Sequence, residues 1–217
     1  VNVEETVTNT ASSTDTISAT ITAAAETLIV AVLSAYNGSP LGEWSQSAGW
    51  TLEGTAETRQ TPVVFWKFND TAGDVTFTAD SVDRNDGTTP RNFGEAALHL
   101  IEISGARLID YSLTRAYTQW SNPLEVLGRW IISREGNIGI MSAHAEIAAS
   151  GIAPPTGFST CAETDGTGWC LATYWAALPY ATSYSVLAPL DSAVNWYSMS
   201  IECDLDIPGG SMIGSDF

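Results

Sequence analysis

Positive charge is what this sequence has least of: eight Lys and Arg, Lys67 being the one lysine, stand against twenty-five Asp and Glu, for a formal net charge of −17. A surface so acidic repels phosphates and anionic headgroups, so neither nucleic acid nor a membrane is expected as a partner through basic contacts. Long apolar runs are missing too. The best, Leu28 to Leu33, is strand-sized and far short of the roughly 20 residues that cross a bilayer as a helix. A basic segment followed by an apolar one is also lacking at the start, so a mature product, or one that leaves the cell without a signal peptide, is expected. Histidine is scarce, with only His99 and His144, and there are three cysteines, Cys161, Cys170 and Cys203. No Cys-x-x-Cys pair or interleaved His gives a zinc spacing.

Charged residues of either sign make up only 15%, while apolar residues reach 44% and include eight Trp, seven Tyr and six Phe. That balance excludes a disordered chain. Period-two alternation, β-branched residues and Gly/Asp/Asn/Pro punctuation recur throughout, and no stretch sustains the 3.6-residue stripe of a core helix. The expected fold is all-β, an antiparallel β-sandwich or jelly-roll-like body with two similar halves.

The two halves follow from an internal repeat. Leu28–Leu33, Ala48-Gly49-Trp50-Thr51-Leu52, Val63–Phe68, Val75–Ala79 and Ala96–Ile103 are matched in order by Ile138–Ala143, Thr156-Gly157-Phe158-Ser159-Thr160, Leu171–Ala176, Tyr184–Ala188 and Trp196–Cys203. The last blocks both carry Ile-Glu, at Ile101-Glu102 and Ile201-Glu202. Trp50 and Phe158 are therefore expected in equivalent places, and so are Trp66 and Trp175. The glycines before Trp50 and Phe158 are expected to allow a tight approach into the strand. The organisation expected is an N-terminal arm over 1–14, serving as edge strand or docking arm, a first half over 15–105, a linker or crossover over 106–122, a second half over 123–205 and a tail over 206–217.

The run Glu26–Ala31, Ser47–Leu52, Val64-Phe65-Trp66-Lys67, Val75–Thr78 and Ile101–Gly105 resembles a group of two-half β-sandwich proteins found among virion appendages (head, neck and tail fibre) of tailed bacteriophages and gene transfer agents. The resemblance spans about residues 15 to 205. It implies a structural particle protein, virion-borne or extracellular, that works by assembly and surface presentation, with other virion proteins and copies of itself as partners. It supplies no catalytic residues.

Chemistry is sparse in the pattern. Each histidine sits between apolar neighbours in a strand, so both are expected on a sheet face rather than at a catalytic centre, and no Gly-x-Ser-x-Gly elbow occurs. Glu102 and Glu202, acids within apolar strands at matching positions, are expected to be structural. Asp80, Asp83, Asn85 and Asp86 crowd one loop and offer oxygen ligands that Ca²⁺ favours, with a solvated turn as the other reading. Trp44, Trp120 and Trp169 fall in turns or linkers and are the candidates for stacking on a host-surface glycan, should the chain be a carbohydrate-binding module. A glycan hydrolase or lyase is the remaining alternative. Cys161 and Cys170 flank a turn and would either join as a disulfide or stay buried thiols.

Overall fold

The computed structural model describes residues 2–36, 42–45, 48–53, 62–83, 85–121, 124–126, 137–148, 150, 152–177, 186–188 and 194–205. Every extended element among them is a β-strand. The first half comprises β1 (Asn2–Thr14), β2 (Thr16–Ala23), β3 (Thr27–Tyr36), β4 (Gly42–Trp44), β5 (Thr51–Glu53), β6 (Val63–Asn69), β7 (Gly73–Asp83) and β8 (Phe93–Ser104). The second comprises β9 (Ala106–Ser121), β10 (Leu124–Val126), β11 (Ile138–Ala145), β12 (Ser159–Gly166), β13 (Trp169–Ala177), β14 (Val186–Ala188) and β15 (Val194–Leu205).

Each half is built the same way. The first has a five-stranded sheet in the order β1-β8-β3-β6-β5 and a three-stranded sheet β2-β7-β4; the second has a five-stranded sheet that reads β9-β15-β11-β13-β12 from its far side and a β10-β14 pair. Every pairing is antiparallel. Strands 1, 8, 3 and 6 in one sheet with 2, 7 and 4 in the other follow the jelly-roll order, with the difference that β5 pairs with β6 instead of lying beside β4. The protein is thus an all-β, antiparallel sandwich of two similar halves.

The register carries the repeat to single residues. Val30 faces Trp66 across β3 and β6, and Ile140 faces Trp175 across β11 and β13. Thr51, just after Trp50, also faces Trp66, as Ser159, just after Phe158, faces Trp175. Gly49 and Gly157 enter these strands with φ of +80° and +85°. A Cβ would meet nothing within 4 Å at either glycine, so the backbone conformation, not the tight approach expected from sequence, is what demands glycine there.

Three cores stack through the molecule. The five-stranded sheets meet face to face over Leu28, Val30, Val32, Ile101, Ile138, Ile140, Leu171 and Ile201. On the outer side of the first, Ile29, Ala31, Leu33 and Phe65 pack against Ile17, Ile21 and Phe77 of the three-stranded sheet, with Trp50 edge-on to Phe77 at 4.9 Å between ring centroids. The outer side of the second holds Met141, Ala143, Tyr174 and Trp196. Both faces of each five-stranded sheet are therefore buried, which is why β3 is a continuous apolar run rather than an alternating one.

One segment takes one of its two expected forms, and another differs from expectation. The N-terminal arm is strand β1, bonded along β8 from Asn2↔Ser104 to Thr14↔Phe93. The segment 106–122, expected as a linker, is chiefly β9, which pairs with β15 from Leu205↔Ala106 to Val194↔Ser121. Both are edge strands of their sheets. An edge strand packs against neighbours on fewer sides, so its sequence need not alternate cleanly. The tail 206–217 lies outside the described residues.

Candidate functional site

The interface between the five-stranded sheets is apolar at its centre and polar along one seam. Polar residues set into apolar strands make this seam: Ser34 on β3, His99 on β8, Ser142 and His144 on β11, Thr164 on β12 and Thr173 on β13. All are buried. His99 Nδ1 lies 2.9 Å from Thr173 Oγ1 and its Nε2 2.9 Å from Thr164 Oγ1, so its ring ties β8 of one half to β12 and β13 of the other. Thr173 Oγ1 is 3.2 Å from Ser142 Oγ. His144 Nδ1 lies 2.8 Å from Ser34 Oγ, a second tie between halves. Burial pushes both imidazoles down to about 3, so each is neutral near pH 7.

Ser34 and His144 are a nucleophile and base by residue type, yet both are wholly buried. The His144 ring is stacked on Trp169, with centroids 4.9 Å apart and planes 17° apart, and Tyr36 lies on the same indole at 6.0 Å. A carboxylate holds the indole in turn: Glu95 Oε2 accepts from Trp169 Nε1 at 2.5 Å and from the Thr167 amide at 2.7 Å. Neither histidine has the setting of a general base facing solvent.

Outside Trp169 lies a cleft of about 320 Å³ where β1 approaches the β12–β13 hairpin, lined by Thr10, Ser12, Glu95, Asp165, Thr167 and Trp169 among others. The hairpin turns through Thr167-Gly168, and Gly168 has φ +78°. A Cβ on Gly166 would collide with the Trp169 indole and with Glu95 Oε2, so this glycine is required by close approach. Hydrogen bonds from Thr167, then from Trp169, hold the Glu95 carboxyl below its ordinary range against the opposing effect of burial. The cleft thus offers a fixed carboxylate and several hydroxyls, a setting that accepts hydrogen bonds from a polar ligand.

The residues singled out from sequence are dispersed. Trp44 is buried, tilted against Phe93 at 5.4 Å, and Trp169 is 1% exposed with His144 and Tyr36 stacked on it, so neither presents an open ring face to a glycan. A tryptophan beside turn residues looks exposed in sequence; here neighbouring aromatics cover both. The Trp120 side chain lies outside the described residues.

The acidic residues are engaged across a strand pair and within one turn. Asp80 accepts from Thr16 Oγ1 at 2.7 Å, Asp83 from the Asn85 amide at 2.8 Å and from the Arg91 guanidinium, and Asp86 from the Thr88 and Thr89 amides at 2.9 and 2.8 Å. Bonds from Thr89, then Thr88, bring Asp86 down to about 2, and those from Asn85, then Arg91, lower Asp83. Asp83 and Asp86 staple the turn while Asp80 faces Thr16 across β7 and β2, and no group of three His, Cys, Asp or Glu side chains placed to hold a metal occurs among the described residues.

Cys161 and Cys170 are both free thiols. The register explains why: a shift between Thr160 and Ala162 places Cys161 at a bulge, and Asp165 is the residue that faces Cys170. Cys161 packs into the core between halves and Cys170 into the outer one, so they lie on opposite faces of the sheet. Glu102 and Glu202 hold equivalent places, accepting from the Ala24 amide at 2.7 Å and from Asn137 Nδ2 at 2.5 Å. Each pins the chain just before a central strand, β3 or β11.

The seam residues Ser34, Ser142, Thr164 and Thr173, and Glu95 in the cleft, were not singled out from sequence. A polar residue interrupting an apolar run, as in Leu-Ser-Ala or Met-Ser-Ala-His, was the signal available for the first two. Comparison with protein-family models, with curated proteins and with solved structures returns no match for this chain.

Proposed function

We propose that this chain is a structural component of a phage or phage-like particle, at the head surface, neck or tail fibre, acting by assembly and by presenting its loops. The observation that carries this reading is the jelly roll repeated twice and joined through a buried seam, because jelly rolls serve repeatedly as capsid and lectin building blocks. The strand motifs that resemble virion appendages point the same way. The two histidines, the groups best suited to acid–base work near neutral pH, are engaged in holding the halves together. The net charge of −17 favours protein partners over nucleic acid or anionic membranes.

Fold alone does not fix function, so the test is location. Antibody-labelled micrographs and quantitative mass spectrometry of purified particles should find the chain at one site in fixed stoichiometry. Its absence from particles would refute the reading. The cleft beside Glu95 supports carbohydrate binding as a second reading, since a carboxylate and hydroxyls suit a polyol. Retention on a glycan array that Glu95→Gln abolishes would favour it.

A further inference from the structure

We propose that β1 is a self-association edge, pairing antiparallel with β1 of a second copy to join two five-stranded sheets into one of ten. This deepens the assembly reading by naming its surface, but it rests on the strand itself. An edge strand exposes unpaired backbone groups, and proteins guard such edges by brevity, charge or bulges. Three of the four edges of the five-stranded sheets are guarded among the described residues. β5 has three residues, β12 carries a bulge with Glu163 and Asp165, and β9 shifts register against β15 at three points. β1 runs for thirteen residues; Glu4, Glu5 and a register shift between Val3 and Glu5 guard only its first end, and its register with β8 is regular from Glu5 to Thr14. Thr6 to Ser12 holds no charge, proline or bulge and is rich in β-branched residues, the composition that pairs most readily.

Charge and backbone parity select the occupant and register. The Thr10 amide donates to Asn9 Oδ1 at 2.8 Å, which places the outward backbone groups on the even-numbered residues. Self-pairing centred on Thr8, the midpoint of β1, sets even residues against even ones. Thr8 meets Thr8, Thr6 meets Thr10, Glu4 meets Ser12 and Glu5 meets Ala11. No acid faces an acid, and three threonine pairs form a ladder of hydroxyls. A parallel pairing would set Glu4 on Glu4 and Glu5 on Glu5. The arrangement is a two-fold, self-complementary contact, which closes at a dimer. Asn9 also donates to Ser18 O at 2.6 Å, so pairing exchanges one internal amide bond at Thr10 and leaves that tie intact.

The test is the mass of the full chain by size-exclusion light scattering from 1 to 200 μM, with Thr8→Lys beside it. The native chain should approach twice its 23.1 kDa as concentration rises, more readily at 500 mM than at 50 mM NaCl because the net charge of −17 is screened. Thr8 is exposed, so Thr8→Lys should remain folded with an unchanged melting temperature and stay monomeric throughout. Register is read from cross-linking. Thr8→Cys should form a covalent dimer on mild oxidation, because hydrogen-bonded antiparallel partners have Cα atoms about 5.5 Å apart, within disulfide reach. Ser12→Cys, facing Glu4, should not. A monomer at 200 μM, a dimer that survives Thr8→Lys, or cross-linking equal at both positions would overturn the proposal. A dimer of a chain absent from particles would refute the particle reading and leave the pairing standing.

Discussion

Acid should loosen this protein well before its carboxylates protonate, through the two histidines of the seam. Each imidazole falls from an ordinary 6.5 to about 3 on folding, because burial disfavours its charged form. Between those values the unfolded chain binds more protons than the folded one, so stability is full above pH 6.5 and declines as pH falls toward 3. The slope is about 1.4 kcal/mol per pH unit for each histidine, and the loss from both by pH 5 is about 4 kcal/mol. That is a large share of the roughly 5–15 kcal/mol that holds a domain folded. Asp83, Asp86 and Glu95, whose carboxyls are lowered by their hydrogen bonds, contribute the same sign of effect at lower pH. Urea unfolding at pH 7.5, 6 and 5, followed by tryptophan fluorescence, measures the decline. The variant His144→Phe removes one titrating ring while keeping an aromatic against Trp169, so its pH slope should be half that of the native chain whatever its stability at pH 7.5. A native stability flat from pH 7.5 to 5, or an unchanged slope in His144→Phe, would refute the assignment of neutral, buried imidazoles to the seam.

Gly166→Ala should destabilise the fold by about 2–3 kcal/mol, seen as a lowered melting temperature, because its methyl group has the Trp169 indole and Glu95 in its way. Gly168→Ala meets no such clash and should cost about 1 kcal/mol through its positive φ alone. Trp50→Ala should cost about 3–5 kcal/mol, since the ring is 3% exposed and packed on Phe77. The thiols of Cys161 and Cys170, pushed up by burial to about 11 and about 12, should resist a thiol-specific dye at pH 8 until denaturant is added. Rapid labelling of the native chain would contradict their placement.

How far the fold was legible in sequence depends on how many sides of a strand are packed. β3, buried on both faces, appears as the run Leu28 to Leu33, and the Gly-aromatic and Ile-Glu blocks mark equivalent points of the two jelly rolls because the same local needs recur there. β9 escaped, and β1 stayed open between edge strand and docking arm, because edge strands carry polar residues that a core strand would not. Trp44 and Trp169 were misplaced because burial by distant chain leaves no local trace: Trp169 is covered by Tyr36 from the other half. The cysteine geometry turned on one bulge near Cys161, which moves every later residue of β12 by a position. The seam is a property of two sheets meeting, so its six members, from Ser34 to Thr173, are scattered along the chain and could be gathered only in three dimensions.

The two jelly rolls form one body across that seam, and differential scanning calorimetry tests this most directly. One transition is expected at pH 7.5, with calorimetric and van't Hoff enthalpies equal at about 150 kcal/mol for a chain of this length. Two resolved transitions, or a van't Hoff enthalpy near half the calorimetric value, would mean that the halves unfold independently and that His99 and His144 do not join them.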